Sequence, residues 1–142
     1  MIGMVLVAHE HVAEAMLAAV EHVLGPQALA AAMSVGADAD IEADLSRNEQ
    51  RLRELVRRCD AGDGVLVFAD MFGGTPCNLA LALLERGRVE VVSGFNLPML
   101  IKAATLRQDL TDLSLLARQV RDAGRRHMHI ASELMGEGAA DA

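Results

Sequence analysis

Apolar positions along this chain change their spacing at regular intervals. Ile2 to Ala8 is an unbroken apolar run, the pattern of a strand buried on both faces. From His11 to Leu24 the spacing turns helical, with Val12, Met16, Ala19, Val20 and Val23 on one face, until Gly25-Pro26 stops it. Leu29 to Val35 is a second strand-like run rich in Ala, and Gly36 to Asp40 is a polar loop. Asp44 to Arg58 is helical again, with Leu45, Leu52, Leu55 and Val56 as its stripe; its acidic start and basic end suit the helix dipole. After the turn Gly62-Asp63-Gly64 comes a strand, Val65 to Ala69. A helix then opens at Thr75-Pro76, with Thr75 as its cap and Pro76 at its first position, and runs to about Glu85. Val89 to Val92 is the fourth strand, Pro98 to Arg107 a helix, and Thr111 to Met135 a last long helix begun at Asp112 or its neighbours.

Strands alternating with helices predict an α/β fold: one open, mainly parallel sheet covered by helices on both faces. The chain of 142 residues reads as one domain, with a core over about 1–108 and a C-terminal helix over about 111–135. No linker composition or internal repeat divides it.

Composition narrows the function classes. With no Trp, no Tyr and three Phe, the core must be built from Ala, Leu, Val and Met. A net charge of −7 argues against a nucleic-acid footprint. No apolar run is long enough to span a membrane, and the N-terminus has no basic region or cleavage signal, so direct membrane insertion is not expected. Cys59 and Cys77 set no disulfide framework and read as free thiols of a cytoplasmic protein.

In open parallel sheets, sites form beyond the carboxyl ends of the strands. That places His9, Asp70, Thr75 and Asn96 on loops at one edge of the sheet. A neutral imidazole at a strand end can be a nucleophile, a base or a ligand, or simply a cap bonded to backbone. Asp70, at the equivalent end of another strand, can take the proton of one ring nitrogen and leave the other free to attack. Gly73-Gly74-Thr75 lets the backbone approach an anion closely, and the Thr75 hydroxyl adds a donor. It also reads as an ordinary strand-to-helix turn. Neither a dinucleotide fingerprint nor a Walker loop occurs, and no cofactor is implied. The combination of His9, Asp70 and the Gly73-Gly74-Thr75 loop describes a phosphohistidine site. His9-Glu10-His11 without a convergent third ligand is thin ground for a metal, and His22, His127 and His129 read as structural or solvated.

These residues also carry a resemblance. Val5-Leu6-Val7-Ala8-His9, the segment Gly64 to Asn78 containing Asp70-Met71-Phe72-Gly73-Gly74-Thr75-Pro76, and Val91 to Leu100 containing Ser93-Gly94-Phe95-Asn96-Leu97-Pro98-Met99 resemble the mannose-type enzyme IIA family of the bacterial sugar phosphotransferase system. The likeness covers roughly residues 1–108. It implies a flavodoxin-like fold and a cytoplasmic phosphotransferase component that commonly forms homodimers. It also implies that His9 accepts a phosphoryl group from the small carrier protein HPr, that Asp70 orients His9, and that the Thr75 loop holds the phosphate. Asn96 would be a supporting residue behind them. The phosphoryl group would pass to an enzyme IIB, which could be a separate protein, or serve as a regulatory signal. The family usually has glycine after the active histidine, where this chain has Glu10.

Three other readings stay open on the residues. One is the phosphotransfer subunit serving dihydroxyacetone kinases. Another is a receiver-like module phosphorylated on Asp70, although Ala8-His9-Glu10 lacks the acidic pair that holds its magnesium. A phosphohydrolase with a histidine nucleophile is the third, but the Arg-His-Gly signature is absent.

Overall fold

A computed structural model describes residues 1–36 and 41–140, with the side chains of 41–44 and 137–140 left aside. The polar loop expected up to Asp40 lies, beyond Gly36, outside the described residues. In chain order the elements are β1 (Gly3–His9), α1 (Val12–Leu24), β2 (Ala30–Val35), α2 (Ile41–Cys59), β3 (Val65–Ala69), α3 (Thr75–Leu81), β4 (Val89–Ser93), α4 (Leu97–Leu106), α5 (Leu113–Arg126) and α6 (Ala131–Ala140). The four strands form one parallel sheet in the order β2-β1-β3-β4.

The apolar run of β1 has the two-sided burial it predicts and β3 shares it, whereas the edge strands β2 and β4 are only partly buried. From β1, Met4, Leu6 and Ala8 join Leu66 and Phe68 of β3 against α1, α4 and α5. Val5 and Val7 join Val65, Val67 and Ala69 against α2 and α3 on the other face. The sheet is thus the middle layer of three. β1 connects to β2 in one direction, whereas β2 to β3 and β3 to β4 run in the other. Right-handed crossovers therefore put α1 on one face and α2 and α3 on the opposite face.

Several local expectations shift. In α1 the buried stripe is Ala13 and Val20 with Met16 and Leu17, while Val12 and Val23 face outward. Met16 and Val20 belong to the expected stripe too; contact with the core turns the helix so that Ala13 and Leu17, not Val12 and Val23, complete it. In α2, Leu52 and Val56 are buried and Leu45 is exposed. α3 ends at Leu81, not near Glu85, because the chain tightens into Leu83 N–H to Ala80 and Leu84 N–H to Leu81 bonds and a Glu85–Val89 bridge. Its cap is the backbone of Gly74, with Thr75 already inside the helix.

The long C-terminal helix is two helices. The last buried residues of α5 are Ala123 and Gly124. His127 then closes the helix, its Nδ1–H donating to the Ala123 carbonyl at 2.8 Å. Met128 and Ile130 beyond it are exposed, as are Leu134 and Met135 of α6.

Among the described residues, one charged side chain is wholly buried. Arg107, just past α4, reaches under the amino-terminal edge of the sheet. It donates to the carbonyls of Ile2 (3.1 Å), Leu29 (3.2 Å) and Ala28 (2.6 Å) and to Gln27 Oε1 (3.1 Å). Among the described residues its Nε has no partner. The guanidinium thus ties the start of β1 to the chain entering β2, answering a buried charge with four acceptors.

Removing that fork takes the guanidinium donors from the Ile2 and Ala28 carbonyls and Gln27 Oε1, while the Leu29 carbonyl keeps the Met4 N–H. Arg107→Ala should lower the unfolding free energy by about 3 kcal/mol or more, read from the urea midpoint at unchanged slope. A loss below about 1 kcal/mol would mean that water replaces the guanidinium without penalty.

Candidate functional site

β1 and β3 are neighbours in parallel register, with Val7 opposite Ala69. From their carboxyl ends the chain leaves toward opposite sides of the sheet, and no connection crosses between them. This is the topological switch point of an open parallel sheet. His9, two residues past Val7, and Asp70, one past Ala69, face each other across it.

The pair is joined twice. His9 Nδ1 lies 2.8 Å from Asp70 Oδ2, and the same oxygen accepts the His9 backbone N–H at 3.1 Å. The other oxygen, Oδ1, accepts Met71 N–H at 3.0 Å. The carboxyl is 18% exposed and the imidazole 44%, so the carboxylate is sheltered and the ring is open to solvent. Burial by itself would raise the Asp70 pKa. Hydrogen bonds from the His9 ring and backbone, the charge of His9 and the Met71 N–H outweigh it and hold the carboxyl below its ordinary value of 3.8.

A carboxylate is an acceptor only, so Nδ1 must carry the proton at this contact. Nε2 is then the bare nitrogen, and among the described residues nothing hydrogen-bonds it. Its edge of the ring faces Gly74. A Cβ on Gly74 would stand 2.8 Å from His9 Cε1 and 3.3 Å from Nε2, so only glycine leaves this edge of the imidazole accessible. Gly73 has φ +89, the left-handed conformation that turns the chain from Phe72 into α3.

Thr75 is exposed, and its side chain caps nothing in α3. α3 is seven residues long, so its dipole is short.

Asn96 has a different place. Its Oδ1 accepts Met99 N–H at 3.0 Å, capping α4, and its Nδ2 donates to the Gly124 carbonyl at 3.0 Å, tying α4 to α5. Both ends of the amide are engaged, and no hydrogen bond joins it to His9 or Asp70. The loop before it is held at the β3 end, where Gly94 N–H donates to the Ala69 carbonyl at 2.9 Å. Asn96 therefore holds α4 to α5 at this edge of the sheet without touching the His9–Asp70 pair.

Glu10 has φ +50, a left-handed backbone that costs a non-glycine residue about 1–2 kcal/mol. Its N–H donates to the Val35 carbonyl at 3.1 Å, which pins the turn leaving β1. This conformation is the physical reason for a glycine preference after the histidine. The adjacency to His9 was legible in the sequence; the strain was not. Also unanticipated were the Met71 N–H that steadies Asp70 and the Gly124 carbonyl that anchors Asn96. Backbone groups leave no signature in side-chain patterns.

The family model described as the phosphotransferase system fructose IIA component matches residues 3–120. The chain belongs to this IIA family. Both His9 and the Asp70 to Asn78 loop fall inside the match. A mannose-specific EIIAB component of Escherichia coli K12 is 28% identical over 125 residues, covering 87% of this chain and 38% of that protein. The chain thus spans less than half the length of that relative. A fructose-specific EIIA component of Bacillus subtilis is 34% identical over 70 residues, 49% of this chain and 47% of its own length. Among solved structures, a phosphotransferase system component EIIA from Streptococcus agalactiae superposes with a TM-score of 0.82 at 25% identity, over 94% of this chain and 99% of its own. The fold is the flavodoxin-like α/β arrangement of the IIA components. No described helix is long and apolar enough to cross a membrane.

Because the Asp70 pKa is depressed in the folded protein, its contribution to stability is present above the unfolded value of 3.8 and is lost as pH falls through the lower folded value. The stability gap between wild type and Asp70→Asn should therefore be largest above about pH 4 and close below it. Urea unfolding of both proteins across that range reads the gap; a gap that widens toward acid would contradict the assigned hydrogen bonds.

Proposed function

We propose that this protein is a phosphocarrier of the phosphotransferase system that accepts a phosphoryl group on Nε2 of His9. The observation that carries the reading is the 2.8 Å contact of His9 Nδ1 with Asp70 Oδ2, which leaves Nε2 unprotonated at the open edge of the ring. In the transfer, the Nε2 lone pair attacks the phosphorus of phosphorylated HPr. A new N–P bond forms as the old one breaks, and its electron pair returns to the donor's imidazole. Positive charge develops on the His9 ring, and Asp70 stabilises it through the Nδ1–H bond. Loop N–H groups of Gly73 and Gly74, with the Thr75 hydroxyl, supply donors to the phosphoryl oxygens. Neither nucleotide nor metal is needed for this step, because the donor brings the activated phosphoryl group.

An enzyme IIB is the proposed onward acceptor, which makes this a phosphotransferase component working in the cytoplasm between two protein partners. Family membership and the geometry around His9 support this reading over a receiver phosphorylated on Asp70. That carboxylate has both oxygens occupied, by His9 and by Met71 N–H.

Enzyme I, HPr and phosphoenolpyruvate together should label wild type once, on His9, with acid-labile and base-stable phosphate. His9→Ala should take no label. Asp70→Asn should fold but accept phosphate about 10–100-fold more slowly, the range seen when the partner orienting a histidine is removed. Label retained in His9→Ala would exclude this acceptor.

The exposed apolar residues Met128, Ile130, Leu134 and Met135 support the homodimer that the resemblance implies. Light scattering at micromolar concentration should give twice the 15.1 kDa of one chain; only the single-chain mass would count against it.

A further inference from the structure

A cleft of about 440 Å³ opens between β4, the last strand of the sheet, and α5. Neither His9 nor Asp70 nor the Gly73-Gly74-Thr75 loop lines it. Its volume lies within the roughly 300–1,000 Å³ of small-molecule sites. Val92, Met99 and Ala117 give it apolar surface, and Ser93 and Ser114 give it hydroxyls. Arg118, Arg121 and Arg125 of α5 bring three positive charges, against one carboxylate, Glu90, among the described residues that line it. In a chain of net charge −7 this is a local reversal of sign.

The three arginines stand at i, i+3 and i+7, on one face of α5. Like charges at this spacing oppose helix formation. The helix dipole favours Arg125, near the carboxyl end, but not Arg118 or Arg121 further back. Little within the chain answers them. Arg118 Nη1 donates to the neutral Ser114 hydroxyl at 2.7 Å. Arg121 Nε meets its chain neighbour Asp122 at 3.1 Å, with both side chains 47% exposed, a pairing of small value. Arg125 has no hydrogen bond or ion pair among the described residues. Glu90 is turned elsewhere, its Oε1 accepting Val91 N–H at 2.9 Å.

We propose that this cleft is a binding site for a small organic phosphate. Arg118 and Arg125 hold the phosphate oxygens through charge-assisted hydrogen bonds, for which the planar guanidinium fork is suited. The apolar lining covers the organic part. An acidic protein segment would meet the same charges, but a concave volume with apolar lining fits a small molecule. The site is separate from His9 and does not depend on the phosphocarrier reading.

Phenyl phosphate and inorganic phosphate, titrated into the full chain at constant ionic strength, test this through backbone amide NMR shifts. Phenyl phosphate should give saturable shifts at Ser93, Gly94, Ser114 and Arg125, and inorganic phosphate should bind the same place severalfold more weakly. Arg118→Ala and Arg125→Ala should each weaken phenyl phosphate binding about tenfold, the loss of a charge-assisted hydrogen bond, at unchanged melting temperature. Glu90→Gln should tighten binding, and His9→Ala should leave it as it is. Shifts confined to residues 73–75 would put the anion at the His9 loop and overturn the cleft site. So would an affinity unchanged in both arginine variants, or saturation by a hexaglutamate peptide alone. No response to either phosphate, as when a second copy of the chain fills the cleft, would overturn it too.

Discussion

Two parallel strands lying side by side, with their chains departing in opposite directions, create the geometry on which everything else depends. β1 and β3 are buried on both faces and locked in register, so the residues just past their ends have little freedom to move apart. The reversal in strand order keeps any crossover from covering the gap between them. A histidine on one strand end and an aspartate on the other then meet at hydrogen-bond distance without a long loop to position them. The rigidity of the sheet becomes the precision of the site. In turn, the carboxylate selects the ring tautomer and so determines which nitrogen is left open.

The two edges of the sheet are built for different ends. At the amino-terminal edge the buried Arg107 guanidinium gathers carbonyls from the start of β1 and the chain entering β2, a contact that stabilises and does nothing else visible. At the carboxyl-terminal edge the backbone is strained at Glu10, glycine is required at Gly74 by the approach of the His9 ring, and large apolar side chains face water. Each of these is unfavourable for an isolated domain. Together they are consistent with the proposed role, in which another protein brings a phosphoryl group to the imidazole.

Asn96 and Thr75, both residues with the chemistry of a helix cap, meet different fates. Asn96 lies on the loop after β4, as the strand-end rule places it, yet its amide caps α4 and grips α5. Thr75 looks like a cap in the sequence but sits inside the helix, which leaves its hydroxyl unengaged. A capping threonine and one already inside the first turn look alike in the sequence; only the position of that turn separates them. That turn begins at Gly74, which packs closely against His9, a contact between residues sixty-five positions apart.

By itself, the sequence determined the layer order and the location of the site. Unbroken apolar runs can only be strands buried on both sides, and the polar residues following them can only gather at one sheet edge, so His9 and Asp70 were legible as a pair. Tertiary structure decided whatever depended on contacts distant in the chain. In α1 it kept Met16 and Val20 of the expected stripe and brought in Ala13 and Leu17 in place of Val12 and Val23, because those are the neighbours that meet the core. It ended α5 at His127, where no glycine or proline marks a break, because burial ceases at Gly124 and the imidazole takes a terminal carbonyl. It engaged Arg107 with carbonyls, which no side-chain pattern records. Periodicity reports which residues avoid water; which neighbour they find, and which backbone group a polar side chain reaches, is decided only when the elements pack.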